Sequence, residues 1–143
     1  MTEAERQALE NALIAEHGAI FAYGVVAAYA APGRAALVAE HTAAHRARRD
    51  ATADTLAESG TTPHPDAAYL APFPVTDPVS AARLATAVES DTAVAWRAVV
   101  ERSSSETIRG SGIDALTDAA VRLATWQSIL GTNPTTVAFP GSS

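Results

Sequence analysis

Two histidines four residues apart, His41 and His45, stand in an alanine-rich run that also holds Glu40, Arg46, Arg48, Arg49 and Asp50. Residues at that spacing project from one side of a helix. A second acid–histidine pair, Glu16-His17, lies in the apolar run before it, and Glu89 lies in a later one. Carboxylate and imidazole are ligands for iron, manganese or zinc. The same groups pair inside helical bundles and fix register without doing any chemistry. Two readings therefore share nearly the same residues. One is a buried polar network of Glu16, His41, His45, Arg48 and Glu89, with Arg48 neutralising the carboxylates. The other is a single Fe, Mn or Zn ion held by Glu16, His41, His45 and Glu89. A third histidine for a three-histidine divalent site of the kind used by helical transferases would have to be His17, which points away from Glu16 as its neighbour along a helix.

Other chemistries find no support in the chain. There are no cysteines, which removes disulfides, thiolate catalysis and cysteine-based zinc sites together. No serine sits in a Gly-x-Ser-x-Gly elbow, and neither a P-loop nor a Gly-x-Gly-x-x-Gly turn occurs. His64 lies among prolines and reads as exposed. A net charge of −6 with acids interspersed around Arg46, Arg48 and Arg49 argues against nucleic acid as a partner, because phosphate binding needs a basic surface. The segment Gly18 to Ala31 is the most apolar, but at about 14 residues it suits a buried helix better than a membrane span. The polar, acidic first ten residues resemble no signal peptide. A cytoplasmic protein without membrane contact is the expectation.

The elements that would position these groups are four helices. Apolar content of 48% with only 6% aromatic means that alanine, valine and leucine dominate, and alanine favours helix. The first helix spans about residues 2–30, with Leu9, Leu13, Glu16, Ile20, Tyr23 and Ala27 on one stripe. Pro32-Gly33 ends it, and the second runs from about 34 to 59, with Leu37, His41, His45, Arg48, Thr52 and Leu56 in line. So short a turn makes the pair an antiparallel hairpin. Pro63, Pro65, Pro72, Pro74 and Pro78 forbid regular helix across 60–77. Tyr69, Leu70, Phe73 and Val75 within it are apolar enough to pack, so this segment reads as a strap carrying the chain along the bundle. The third helix spans about 78–102, capped by Asp77, with Leu84, Val88, Thr92, Ala95 and Val99 inward and Ala85, Glu89 and Trp96 beside them. After a connection ending near Gly110-Ser111-Gly112, the fourth runs from about 113 to 130, with Leu116, Ala120, Leu123, Gln127 and Leu130 inward. The tail, 131–143, is extended, with Val137 and Phe139 covering an apolar edge. The reading is one all-α domain, a ferritin-like four-helix bundle of two antiparallel hairpins joined by a long Pro-rich crossover.

Ferritin-like di-metal bundles take a Glu from each of two helices and a Glu-x-x-His from each of the other two. Glu16 and Glu89 satisfy the first requirement. Glu40 is followed three residues later by Ala43, and the fourth helix contains neither Glu nor His. A complete di-metal centre cannot be assembled, and whether the chain is an enzyme is left open.

Several spaced motifs carry a likeness. Ala15-Glu16-His17 with Tyr23-Gly24-Val25-Val26, His45-Arg46-Ala47-Arg48-Arg49-Asp50, Asp66-Ala67-Ala68-Tyr69, Ala95-Trp96-Arg97-Ala98-Val99-Val100 and Ala138-Phe139-Pro140-Gly141 resemble a bacterial ferritin-like family labelled a domain of unknown function. The resemblance implies a ferritin-like fold and a dimer, and implies no reaction. The expectation is a protein that acts through association, as a homodimer or with another protein, through an alanine-rich helix face. No cofactor is expected; the alternative is the single metal ion above.

Overall fold

The computed structural model describes residues 1–63 and 69–142. His64 and the Asp66-Ala67-Ala68 part of the resemblance lie outside them. Helix α1 spans Glu3–Tyr29, α2 Ala35–Glu58, α3 Pro78–Arg102 and α4 Glu106–Ile129, with a 3-10 turn at Pro32–Arg34. Strands are absent among the described residues. α1 begins with a capping box, in which Thr2 accepts from the Glu5 backbone while Glu5 answers onto the Thr2 backbone. Asp77 and Ser80 form the same device ahead of Pro78.

α1 packs on α2 and α3, and α3 on α4. Two apolar clusters fill the interior. One joins Tyr23 and Val26 of α1, Val38 of α2, Leu84 and Val88 of α3 and Trp126 of α4. The other joins Leu9 and Leu13, Leu56, Trp96 and Val99, and Ala115. The start of α2 thus meets the start of α3, and the end of α2 meets the end of α3. Those two helices run in the same direction, so the chain between them must travel the length of the bundle. Tyr69, Phe73 and Val75 of this crossover pack against the first cluster. Gly18 makes room for it: a methyl group there would come within 3.2 Å of the Tyr69 ring.

α4 departs from the sequence expectation in two ways. It starts at Glu106 rather than 113, because Ser105 caps it and accepts from the Ile108 backbone. Gly110, Ser111 and Gly112 lie inside the helix, and a Cβ on Gly112 would stand 3.0 Å from Val100 Cγ2 and 3.2 Å from Val99 Cγ1. Glycine there is what lets α4 lie close on α3. The inward line is Gly112, Ala115, Ala119, Leu123 and Trp126, one residue off the expected Leu116, Ala120, Gln127 and Leu130, which are half-buried. On α1, Val26 rather than Ala27 turns inward.

The tail folds back onto α3. Gly141 adopts φ 78° and its Cα sits so close that a Cβ would meet the Ala93 carbonyl at 2.5 Å. Ser142 is held by Arg97 at 2.9 Å. Phe139, expected to cover an apolar edge, is 73% exposed instead. Among the described residues, α1 is the one helix long and apolar enough to cross a membrane. Its inward side carries Leu9, Leu13, Tyr23 and Val26 into the two clusters, while Ile14, Phe21 and Tyr29 are exposed.

Candidate functional site

Between the two apolar clusters lies a polar layer. Glu16 of α1, His45 of α2 and Glu89 of α3 are each fully buried. Each falls on its helix's inward line, which is why folding brings them together at mid-bundle. His45 bridges the carboxylates: Nδ1 is 2.6 Å from Glu16 Oε2, and Nε2 is 2.7 Å from Glu89 Oε1. The remaining Glu16 oxygen accepts from Trp96 Nε1 at 2.7 Å. Glu89 Oε1 also accepts from Tyr23 Oη at 2.7 Å and from Arg122 Nε at 2.9 Å, and Arg122 Nε reaches Oε2 at 3.0 Å. Buried carboxylates are costly unless paired and hydrogen-bonded, and here all four oxygens have donors.

His41 sits one turn away in different chemistry. Trp126 Nε1 donates between Tyr23 Oη at 2.9 Å and His41 Nδ1 at 3.1 Å. Tyr23 gives its single proton to the charged Glu89 oxygen, and the Trp126 N–H, which can only donate, makes His41 Nδ1 an acceptor and leaves that ring neutral. Burial, the largest influence, holds the His41 pKa below its ordinary value. Burial also works against a charge on His45, but the hydrogen bonds that its ring donates to Glu16 and Glu89 prevail and raise its pKa. Burial would push Glu89 up as well; His45, Arg122 and Tyr23 together hold it down instead. Tyr23 is driven upward by burial and by the Glu89 charge.

Four of the five sequence candidates, Glu16, His41, His45 and Glu89, are brought together. Arg48 is not. It lies at the rim, 3.0 Å from Asp118 of α4, with its guanidinium 5.9 Å from the centre of the Trp96 ring. The neutralising arginine is Arg122, which the sequence reading missed. A signal was available: Arg122 stands three residues after Ala119 and four before Trp126, on the buried line of α4. A third buried carboxylate, Glu5, was also missed. Its Oε1 accepts from the backbones of Ser104 and Ser105, both at 2.7 Å, tying the start of α1 to the start of α4. The bond from Ser105 does most to lower the Glu5 pKa, to about 2. His17 is half-buried and stands apart from the layer.

Chemically, the layer balances. Two carboxylates meet one imidazole with a donor at each ring nitrogen and one guanidinium, while His41 and Tyr23 stay neutral.

No curated protein matches the chain. The crystal structure of a conserved hypothetical protein, rv2844, from Mycobacterium tuberculosis is 40% identical, with 91% of this chain and 99% of that one covered and a TM-score of 0.87. A crystal structure of ferritin-like, diiron-carboxylate proteins from Bacillus anthracis strain Ames covers the same shares with a TM-score of 0.77. At 16% identity that second likeness concerns the fold alone. A family profile described as a domain of unknown function, DUF4439, matches residues 8–143. The chain therefore belongs to the DUF4439 family, and its four helices have the ferritin-like fold.

Proposed function

We propose that this protein acts by association, as a homodimer, and that its polar layer holds the bundle together without a resident metal. The donor set speaks against iron, manganese or zinc. Glu16, His45 and Glu89 spend their lone pairs and protons on one another, and Arg122 places a fixed positive charge on Glu89. Glu-x-x-His pairs are lacking, with Ala43 after Glu40 and no Glu or His on α4 from Ile108 onward. The residues do not fit the di-metal pattern of the fold.

One surface supports association. α4 and the tail enclose a groove of about 760 Å³, lined by Leu116, Ala120, Val121, Ala124, Val137 and Pro140 with threonines at its rim and no charged residue. Val121 is 61% exposed and Val137 45%. On a chain of net charge −6, two copies repel unless they meet at an uncharged face. Phe139, beside the groove and mostly in solvent, is an apolar knob next to an apolar hollow. That combination on a single face suits a two-fold contact, in which each copy supplies both parts.

Sedimentation equilibrium tests this. The wild type should be a dimer at micromolar concentration, and Val121→Asp should be a folded monomer. A monomeric wild type would remove the homodimer. A Val121→Asp protein that remains dimeric would move the contact to another face.

A further inference from the structure

Among the described residues, the His45 ring is the one group that bonds to both Glu16 and Glu89, and the two are bonded to opposite sides of it. Both ring nitrogens therefore face acceptors. The Glu89 oxygen is already an acceptor from Tyr23 and Arg122, and the other Glu16 oxygen is an acceptor from Trp96. A ring that satisfies acceptors on both sides carries a proton on each nitrogen and hence a positive charge. Arg122 supplies the second charge from α4, with its side chain 13% exposed. Its terminal nitrogens make no bond to the described residues and face the solvent edge of the layer. Tyr23, Trp96 and Trp126 add neutral donors around this pair of charges. In ferritin-like di-metal bundles the inward carboxylates of facing helices are neutralised by metal.

We infer that the cation locus at the centre of this bundle is built for an organic cation: the His45 ring is the slot's occupant, wedged between Glu16 and Glu89, with Arg122 closing the outer side of Glu89. The chain brings its own counter-ions to the place where relatives of the same fold class are organised around metal. This rests on the metal-free half of the functional reading and is independent of the dimer.

Such a slot has a binding property of its own. Removing the ring in His45→Ala leaves a ring-shaped hollow between two carboxylates, and free imidazole, as imidazolium, has the shape and charge to refill it. The experiment is thermal unfolding of wild type and His45→Ala with added imidazole or CoCl₂, with cobalt uptake read from visible absorption. His45→Ala should unfold well below the wild type. Imidazole should raise the variant's midpoint with the logarithm of its concentration, by about 5 °C at ten times its dissociation constant, and leave the wild type unmoved. Cobalt should shift neither protein and give no visible bands. Stoichiometric cobalt bands in the wild type, or rescue of the variant by cobalt and not by imidazole, would overturn the assignment. So would a folded His45→Ala that is indifferent to imidazole.

Should His45→Ala fail to fold with or without imidazole, the comparison of His45→Gln with Glu16→Gln/His45→Gln decides. The double variant removes one charge of each sign, so its midpoint should recover at least half of what His45→Gln loses. A double variant no more stable than His45→Gln would contradict a self-neutralised slot. Failure of the homodimer in sedimentation would leave all these outcomes unchanged, so the two proposals fail separately.

Discussion

Arg122→Ala should cost about 3–5 kcal/mol of stability, whereas Arg48→Ala should cost about 1 kcal/mol or less. The contrast follows from where each charge lies. Arg122 is mostly buried and bonds both oxygens of a carboxylate that has no access to solvent. Removing it leaves Glu89 with His45 as its only cationic partner, and breaking one side of a buried pair is far costlier than the pair is worth. Arg48 pairs with Asp118, whose side chain is 56% exposed, and water takes over both groups once they part. Its contact with the Trp96 face adds about 0.5–1 kcal/mol at a site this open. Urea unfolding of the two variants under one set of conditions makes the comparison. Equal losses would contradict this contrast, and a greater loss for Arg48→Ala would assign the neutralising role to Arg48 and not to Arg122.

Trp126→Ala should cost a further-reaching 3–5 kcal/mol, and Trp126→Phe about 1–2 kcal/mol. The indole is among the largest fully buried side chains, and it is the residue through which α4 joins the first apolar cluster. Alanine would leave a cavity beside Tyr23 and Val88. Phenylalanine keeps most of the volume but removes the N–H shared by Tyr23 Oη and His41 Nδ1. The difference between the two variants separates packing from hydrogen bonding. Identical losses would assign the whole effect to the N–H, and an unaffected Trp126→Phe would assign it to packing alone.

Most of the architecture was legible in the chain because its punctuation is chemical. Asp77 ahead of Pro78 and Pro32-Gly33 mark helix ends by mechanism, and the prolines of 60–77 leave no option but a strap. Glu16 and Glu89 announced the polar layer because each interrupts an apolar line that has no other reason to hold a carboxylate. α4 was harder to read. Its small residues at 115, 119, 120 and 124 give little size contrast by which to choose the inward face. Gly112 looks like a helix breaker until Val99 and Val100 of α3 are seen to require it. Choosing the line through Leu116 and Gln127 put Arg122 on the outside. The neutralising role then fell to Arg48, which shares a stripe with His41 and His45 but swings to Asp118 at the rim. Glu5 was hidden for a different reason: a capping box is a local pattern, while its bonds to Ser104 and Ser105 join residues about a hundred positions apart.

The charge state of the two histidines ties these points together. For His45, whose folded pKa lies above the ordinary 6.5, the stabilising contribution is full below that pH and fades as pH rises through the folded value. His41 acts in the opposite sense: its folded pKa is lowered, so its contribution is full above pH 6.5 and declines as pH falls. Ring-nitrogen NMR of the uniformly ¹⁵N-labelled protein at pH 7 reads both directly. The account requires His45 to carry a proton on each nitrogen, bonded to Glu16 and Glu89, while His41 four residues earlier is neutral with its proton on Nε2. A neutral His45, or one whose nitrogen signals report a bound metal, would contradict it.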